Sequence, residues 1–398
     1  MAADPRHDPV ILGYARTPIG KLGGAFASLP AVELGGRAIA AALERAGVPA
    51  DRVDQVLMGH VLQAGQGQIT ARQAATRGGI GMDVPSTTLN KVCLSGMSAV
   101  ALAHQQIRLG EAQVVVAGGM ESMSGAPYVL DKARFGYRMG DGTLVDSMIH
   151  DGLWCAFDDV HMGASSDAVN AREGIDRAAQ DAWAARSHER AAAAAKEGRL
   201  DGEVAPVEVP QRRGDPEVVG TDEGVRADTT VESLGKLRPA FARDGTITAG
   251  NASQVSDGAA ALVLASRALA DELGATPVGR VRAYGTVAGP DATLHHQPAE
   301  AIRVAADKAG VPAGGLDVYE INEAFAAVAL HSARMLGLDE ARVNADGGAV
   351  AVGHPIGATG ARITGAVLHQ LRARGGGVGA AALCGGGGQG DALVLETV

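Results

Sequence analysis

The sequence predicts an α/β protein made of two duplicated βαβ-rich halves, with a further segment inserted into the first. Three observations carry that prediction: a motif that recurs in the same local setting, a second matched pair downstream, and a central stretch without a counterpart. Ala46-Gly-Val-Pro-Ala50 returns as Ala309-Gly-Val-Pro-Ala313, 263 residues later. Each copy follows a helix-like stretch (38–46, 301–309) and leads into an apolar, strand-like run (54–58, 317–321). Downstream, Cys93-Leu-Ser-Gly96 opens a helix-like segment, and the strand 113–117 follows and stops at Gly118-Gly119. His354-Pro-Ile-Gly357 opens the matching segment 261 residues on, and the strand 378–383 stops at Cys384-Gly385. Helices alternating with buried, β-branched strands argue for parallel sheets covered by helices. Residues 123–254 have no partner in the second half. They hold an alanine-rich helix, expected over 177–198 with Gly198 as its stop, and a charged, loop-like stretch at 207–230. The expected division is 1–122 with 254–275, an inserted segment 123–253, and 276–398.

Composition narrows the function. Of 398 residues 56 are glycine, with 16 prolines and no triplet period, which excludes a collagen-like chain. Hydrophobic residues at 46% exclude global disorder. Three cysteines without a CxxC pair exclude a disulfide-framed module and argue against a metal site. A net charge of −10 supplies no field for nucleic acid or an anionic membrane. No apolar run reaches the ~18 residues of a membrane helix. The N-terminus shows no signal pattern, so a cytoplasmic location with reduced thiols is expected.

Four residues stand where chemistry is possible. Cys93 lies where an extended run turns into a helix, and free N–H groups there favour thiolate over thiol. The same place would also suit a small buried hydrophobe. His354 precedes Pro355, a residue suited to the first helical turn, so the imidazole would sit at the cap and could take a proton from a thiol. A histidine satisfying a backbone carbonyl is the plainer alternative. Cys384 precedes four glycines, whose amides can approach a ligand closely and face a developing oxyanion. Asn322 follows the strand-like run 317–321, where sheets of this class bind ligands, or it simply caps the next helix.

Asn90-Lys-Val-Cys-Leu-Ser-Gly96, Gly118-Gly-Met-Glu-Ser-Met-Ser124, Thr248-Ala-Gly-Asn-Ala-Ser253, Asn322-Glu-Ala-Phe325, Gly353-His-Pro-Ile-Gly357 and Cys384-Gly-Gly-Gly resemble, in order and across the whole chain, the signature blocks of the thiolases. The resemblance implies a layered αβαβα core of two similar halves with an inserted loop domain. It implies acyl transfer between coenzyme A thioesters, with Cys93 as nucleophile and His354 as its activator. Cys384 corresponds to the acid/base on the α-proton. Asn322, through a water, and His354 would form one oxyanion site, the amides of Cys93 and Gly386 the other. His161-Met162-Gly163 is similar to the pocket element of the short-chain, biosynthetic members, so condensation of two acetyl-CoA and its reverse are expected. A broader 3-ketoacyl-CoA thiolase is the alternative. Ser253 matches a serine near the pantetheine arm, and Arg226 a CoA-binding arginine. Leu294 stands where most relatives carry a methionine on the acyl site. No tightly bound cofactor is expected, coenzyme A and acetyl-CoA being substrates. A homotetramer is expected through a segment over 130–144.

Overall fold

The computed structural model describes residues 4–398. Two sheets form its centre. The first runs in the order Pro9–Arg16, Ser256–Ser266, Val114–Ser122, Gln55–Gly59, Ser86–Leu89, with Gly20–Lys21 added beside Ser256–Ser266. The second runs Arg280–Ala288, Gln389–Glu396, Val378–Gly385, Val318–Ile321. Read from the same end, the pairings in both are antiparallel, antiparallel, parallel. The repeated motifs therefore report a repeated sheet topology. The sheets are mixed, not parallel as the helix–strand alternation suggests. In the second half the chain returns from Val378–Gly385 by a short glycine turn, and such a hairpin can only be antiparallel. In the first half the equivalent return, from Val114–Ser122 to Ser256–Ser266, is where the inserted segment lies. The insertion thus replaces a hairpin turn.

Side-chain alternation along each buried strand builds the layers. Val114, Val116 and Met120 share a core with the helix Ala31–Ala46. Val115 and Ala117 face the opposite way, into a core shared by the helices Ser95–Leu109 and Thr359–Ala373. Ala381 and Leu383 of the second sheet enter that same central core. Ala380 and Ala382 turn outward to the helices Gln297–Ala309 and Ala326–Met335. The result is the αβαβα stack, with two helices crossing between the sheets.

Gly118 and Gly119 do not end their strand, which continues to Ser122. They permit contact between backbones. A Cβ on Gly119 would lie 2.0 Å from the Gly357 carbonyl oxygen, and Cβ atoms on Gly59 and Gly96 would meet that oxygen at 2.7 and 2.8 Å. The carbonyl of the loop bearing His354 is thus packed against three backbones of the other half. Gly119→Ala is expected to cost about 3 kcal/mol, because backbone on both sides must shift. A lower urea midpoint at unchanged m-value would show it.

Within the insertion lie the helices Ser147–Gly152, Met162–Glu173 and Arg177–Lys196. The last is the alanine-rich helix, capped by the Asp176 carboxylate on the Ala179 N–H. The hairpin of Tyr128–Leu130 and Leu144–Asp146 projects Phe135 and Met139 at 90% and 95% exposure. No helix among the described residues is long and apolar enough to cross a membrane.

Candidate active site

Cys93 stands on a turn two residues before the helix Ser95–Leu109. Val92 holds φ at +51°, a strained value for a β-branched residue. Its neighbours fix it there: the Val92 N–H donates to Asn90 Oδ1 at 3.0 Å and the Ser95 hydroxyl to the Val92 carbonyl at 2.6 Å. Lys91 reaches across to the buried Asp391 at 2.8 Å, tying the turn to the strand Gln389–Glu396.

His354 is not a helix cap. The helix begins at Thr359, and the Pro355–Ala358 stretch is a turn closed by the Ala358 N–H on the Pro355 carbonyl. The main-chain N–H of His354 faces the Gln254 carbonyl and Ser256 Oγ, both at 3.2 Å. Its Nδ1 lies 2.7 Å from Thr359 Oγ1, whose own proton goes to the Pro355 carbonyl. That arrangement assigns the imidazole proton to Nδ1 and leaves the Nε2 lone pair free to accept. Nε2 lies 3.4 Å from Asn322 Nδ2, at the end of Val318–Ile321. Asn322 Oδ1 is buried with no hydrogen-bond partner among the described residues.

The Cys93 turn, the His354 loop and the strand end at Cys384 border a cavity of about 300 Å³; Asn322 is beside His354 but not on the cavity lining. Cys93, His354, Cys384 and Gly386 line it together, with His161, Met162, Ser253 and Leu294 on its walls. His161 stacks on Phe241 at 4.6 Å between ring centroids, and Phe241 meets Phe325 edge-on at 6.1 Å. The His161 Nδ1 accepts the Gly163 N–H, which places the proton of the neutral ring on Nε2. Leu294 packs in one apolar cluster with Cys384, Phe325 and Val328. Arg226 is not on this cavity. It is exposed beside the buried His188, whose Nδ1 accepts the Arg226 N–H. The neutral ring then carries its proton on Nε2, 3.3 Å from an Arg226 Nη2 that can only donate. The guanidinium gains no hydrogen bond there.

Burial sets the protonation of the site. It pushes the Cys93 thiol up to about 12, against the N–H groups of Cys93 and Gly386 that pull it down. The expectation of a thiolate stabilised by a helix end therefore fails in the resting state: desolvation outweighs the donors. Burial, then the charge of Arg362, holds His354 down at about 3. Cys384 is raised well above an ordinary thiol, by burial first and then by Cys93. The resting site is thiol, thiol and neutral imidazole. Alkylation of Cys93 by iodoacetamide should rise about tenfold per pH unit from 7 to 10, because only the thiolate reacts. Peptide mass spectrometry would follow it, and a plateau below pH 8 would mean a preformed thiolate–imidazolium pair.

Two buried carboxylates escape a reading of the sequence. Glu121 accepts the N–H groups of Val61, Leu62 and Gly357, binding the loop that carries His354 to the first half. Burial raises it to about 7. Glu323, next to Asn322, accepts from four donors. A Glu inside an otherwise apolar strand or at its end was the available signal for both. Among the described residues, no group of His, Cys, Asp and Glu has the geometry to hold a metal ion.

Residues 9–268 match the profile of the thiolase N-terminal domain, and residues 275–397 that of the thiolase C-terminal domain. The chain is 55% identical to a "Probable acetyl-CoA acetyltransferase" of Mycolicibacterium smegmatis, over 97% of this chain and 100% of that protein. It is 56% identical to a protein of the same description from Mycobacterium tuberculosis, over 97% and 98% of the two chains. An "Acetyl-CoA acetyltransferase" of Pseudomonas aeruginosa is 50% identical over 98% and 99%. With its repeated sheets, its paired thiols and both domain profiles spanning nearly all its length, the chain belongs to the thiolase family.

Proposed function

We propose that the protein is an acetyl-CoA acetyltransferase, which joins two acetyl-CoA into acetoacetyl-CoA and CoA and catalyses the reverse thiolysis. The observation that carries this reading is one cavity holding two thiols beside a neutral imidazole whose Nε2 is unprotonated. In the first step Cys93 gives its proton to His354 Nε2 as the sulfur attacks the acetyl carbonyl. The oxyanion meets the N–H groups of Cys93 and Gly386, the two donors already directed at the sulfur. CoA leaves with the proton from His354. In the second step Cys384 gives its own proton to His354 Nε2 and, as thiolate, takes the α-proton of another acetyl-CoA. Burial makes that thiolate the stronger base, which suits a weakly acidic C–H. The enolate oxygen is held by the protonated Nε2 of His354 and a water on Asn322, the carbanion attacks the acyl-Cys93 carbonyl, and the expelled Cys93 thiolate takes the proton back from His354.

The apolar walls set the acyl range. Phe241, Phe325, Met162 and Leu294 close around the cysteine pair. Ser253 lies on the cavity wall, where the pantetheine arm would pass, and Arg226, exposed and gaining nothing from His188, would meet a CoA phosphate. Thiolysis of acetoacetyl-CoA is expected to exceed that of a ten-carbon 3-ketoacyl-CoA by at least about 10-fold in kcat/KM. Equal or faster turnover of the longer substrate would favour the broader thiolase reading. The apolar projection at Phe135 and Met139 supports a homotetramer, testable by light scattering on the chain with both replaced by serine. We place the enzyme in the cytoplasm, with no tightly bound cofactor.

A further inference from the structure

Asn322 carries the unpartnered amide oxygen of the site, yet its backbone is held on both sides. Its own N–H donates to the Ala382 carbonyl at 2.9 Å. Ile321, the residue before it, is held at both ends by one side chain. The Ile321 N–H donates to Asn344 Oδ1 at 2.8 Å, and Asn344 Nδ2 donates to the Ile321 carbonyl at 2.9 Å. Glu323, the residue after it, is 1% exposed, and each of its carboxylate oxygens accepts two bonds. Oε1 takes Trp183 Nε1 and Asn344 Nδ2, both at 2.9 Å. Oε2 takes the Ser187 hydroxyl at 2.8 Å and the Val350 N–H at 3.0 Å.

Those donors come from separate parts of the chain. Trp183 and Ser187 lie four residues apart on one face of the inserted helix Arg177–Lys196. Asn344 is the clamp on Ile321, and Val350 belongs to the short helix Ala349–Val352 that leads to His354. Gly348 leaves the carboxylate its space, since a Cβ there would lie 2.2 Å from the Glu323 carboxyl carbon. His354 has anchors of its own in Gln254, Ser256 and Thr359.

We propose that Glu323 is a positioning residue for Asn322: its four-donor carboxylate locks the peptide that aims the Asn322 amide at His354, and the inserted helix, through Trp183 and Ser187, thereby sets the enolate-binding edge of the site. The proposal rests on the acyl-enzyme reading above. A glutamine at 323 would turn an NH2 group toward two donors and release one side of the clamp. Because Cys93, His354 and Gly386 serve the first step without Asn322, the two half-reactions should separate.

The test compares exchange of labelled CoA into acetyl-CoA, which needs only the acyl-Cys93 step, with thiolysis of acetoacetyl-CoA. In Glu323→Gln, thiolysis kcat should fall about 100-fold, while KM and the exchange rate change less than about threefold. Asn322→Ala should give the same pattern, and adding Glu323→Gln to it should lower thiolysis by no more than about twofold further. Trp183→Phe removes one donor and keeps the ring, so it reports a smaller change in the same ratio if Glu323→Gln fails to fold. Equal losses in both reactions, no loss in either, or a full additional loss in the double variant would overturn the proposal. Absence of exchange in the unaltered enzyme would overturn the acyl-enzyme reading and this inference with it.

Discussion

Replacing Cys93 by serine is expected to abolish the covalent acetyl adduct and to lower acetoacetyl-CoA thiolysis by at least about 10³-fold. The change is nearly isosteric, so the cavity and both oxyanion-binding edges should survive it. What disappears is a nucleophile that a neutral imidazole can deprotonate as it attacks. His354 is held down at about 3 by burial, so it is a weak base. A thiol, even one pushed up to about 12, remains much easier to ionise than an alcohol. Intact-protein mass spectrometry after incubation with acetyl-CoA should show one acetyl group on the unaltered enzyme and none on Cys93→Ser. An adduct that persists in the variant would place the nucleophile elsewhere.

Cys384→Ala should behave in the opposite way. The acetyl group should still load onto Cys93, because that step draws on His354 and the N–H groups of Cys93 and Gly386. Carbon–carbon bond formation and cleavage should fall by about 10³-fold, within the range for loss of a positioned general base. The acyl-enzyme should therefore accumulate when acetyl-CoA is supplied. Quenched-flow labelling separates the cases: loss of loading in Cys384→Ala would mean that the two thiols do not divide the work as proposed. Alanine is the better probe than serine, since an alcohol could still orient a water in the second step.

Much of this site was legible in the chain, for identifiable reasons. Cys93, His354 and Cys384 sit in short glycine-bearing motifs whose local chemistry is unusual wherever they fall, and the repeat joined two of them across 261 residues. Helix-covered sheets were legible because helices alternate with buried, β-branched strands, while the αβαβα layering came with the family resemblance. Strand sense was not, since the return of Gln389–Glu396 depends on a turn only a few residues long. Protonation was not legible either. The helix end near Cys93 is visible in sequence, but the desolvation that overrides it depends on the walls closing around the sulfur. Glu323 and Glu121 escaped because a carboxylate is recognised by its donors, and those of Glu323 are contributed by residues 183, 187, 344 and 350. Arg226 was matched by motif alone; it lies exposed beside His188, off the cavity around the cysteines.

The backbone contact at Gly357 bears on how such a chain could arise. Gly96 and Gly357 occupy equivalent places after the two matched motifs, and the Gly357 carbonyl oxygen sits where a side chain on Gly96 would go. A Cβ on Gly360 would lie 2.4 Å from the Met97 nitrogen, so each of the two helices presses a glycine against the other's backbone. In a homodimer of a single half, the same contact would be isologous, each copy offering the other an identical loop. Such an ancestor could carry only the same residue on both sides, two thiols or two imidazoles. Fusion into one chain frees the two positions to diverge while the glycines keep them adjacent, and a thiol paired with its base is what that freedom permits.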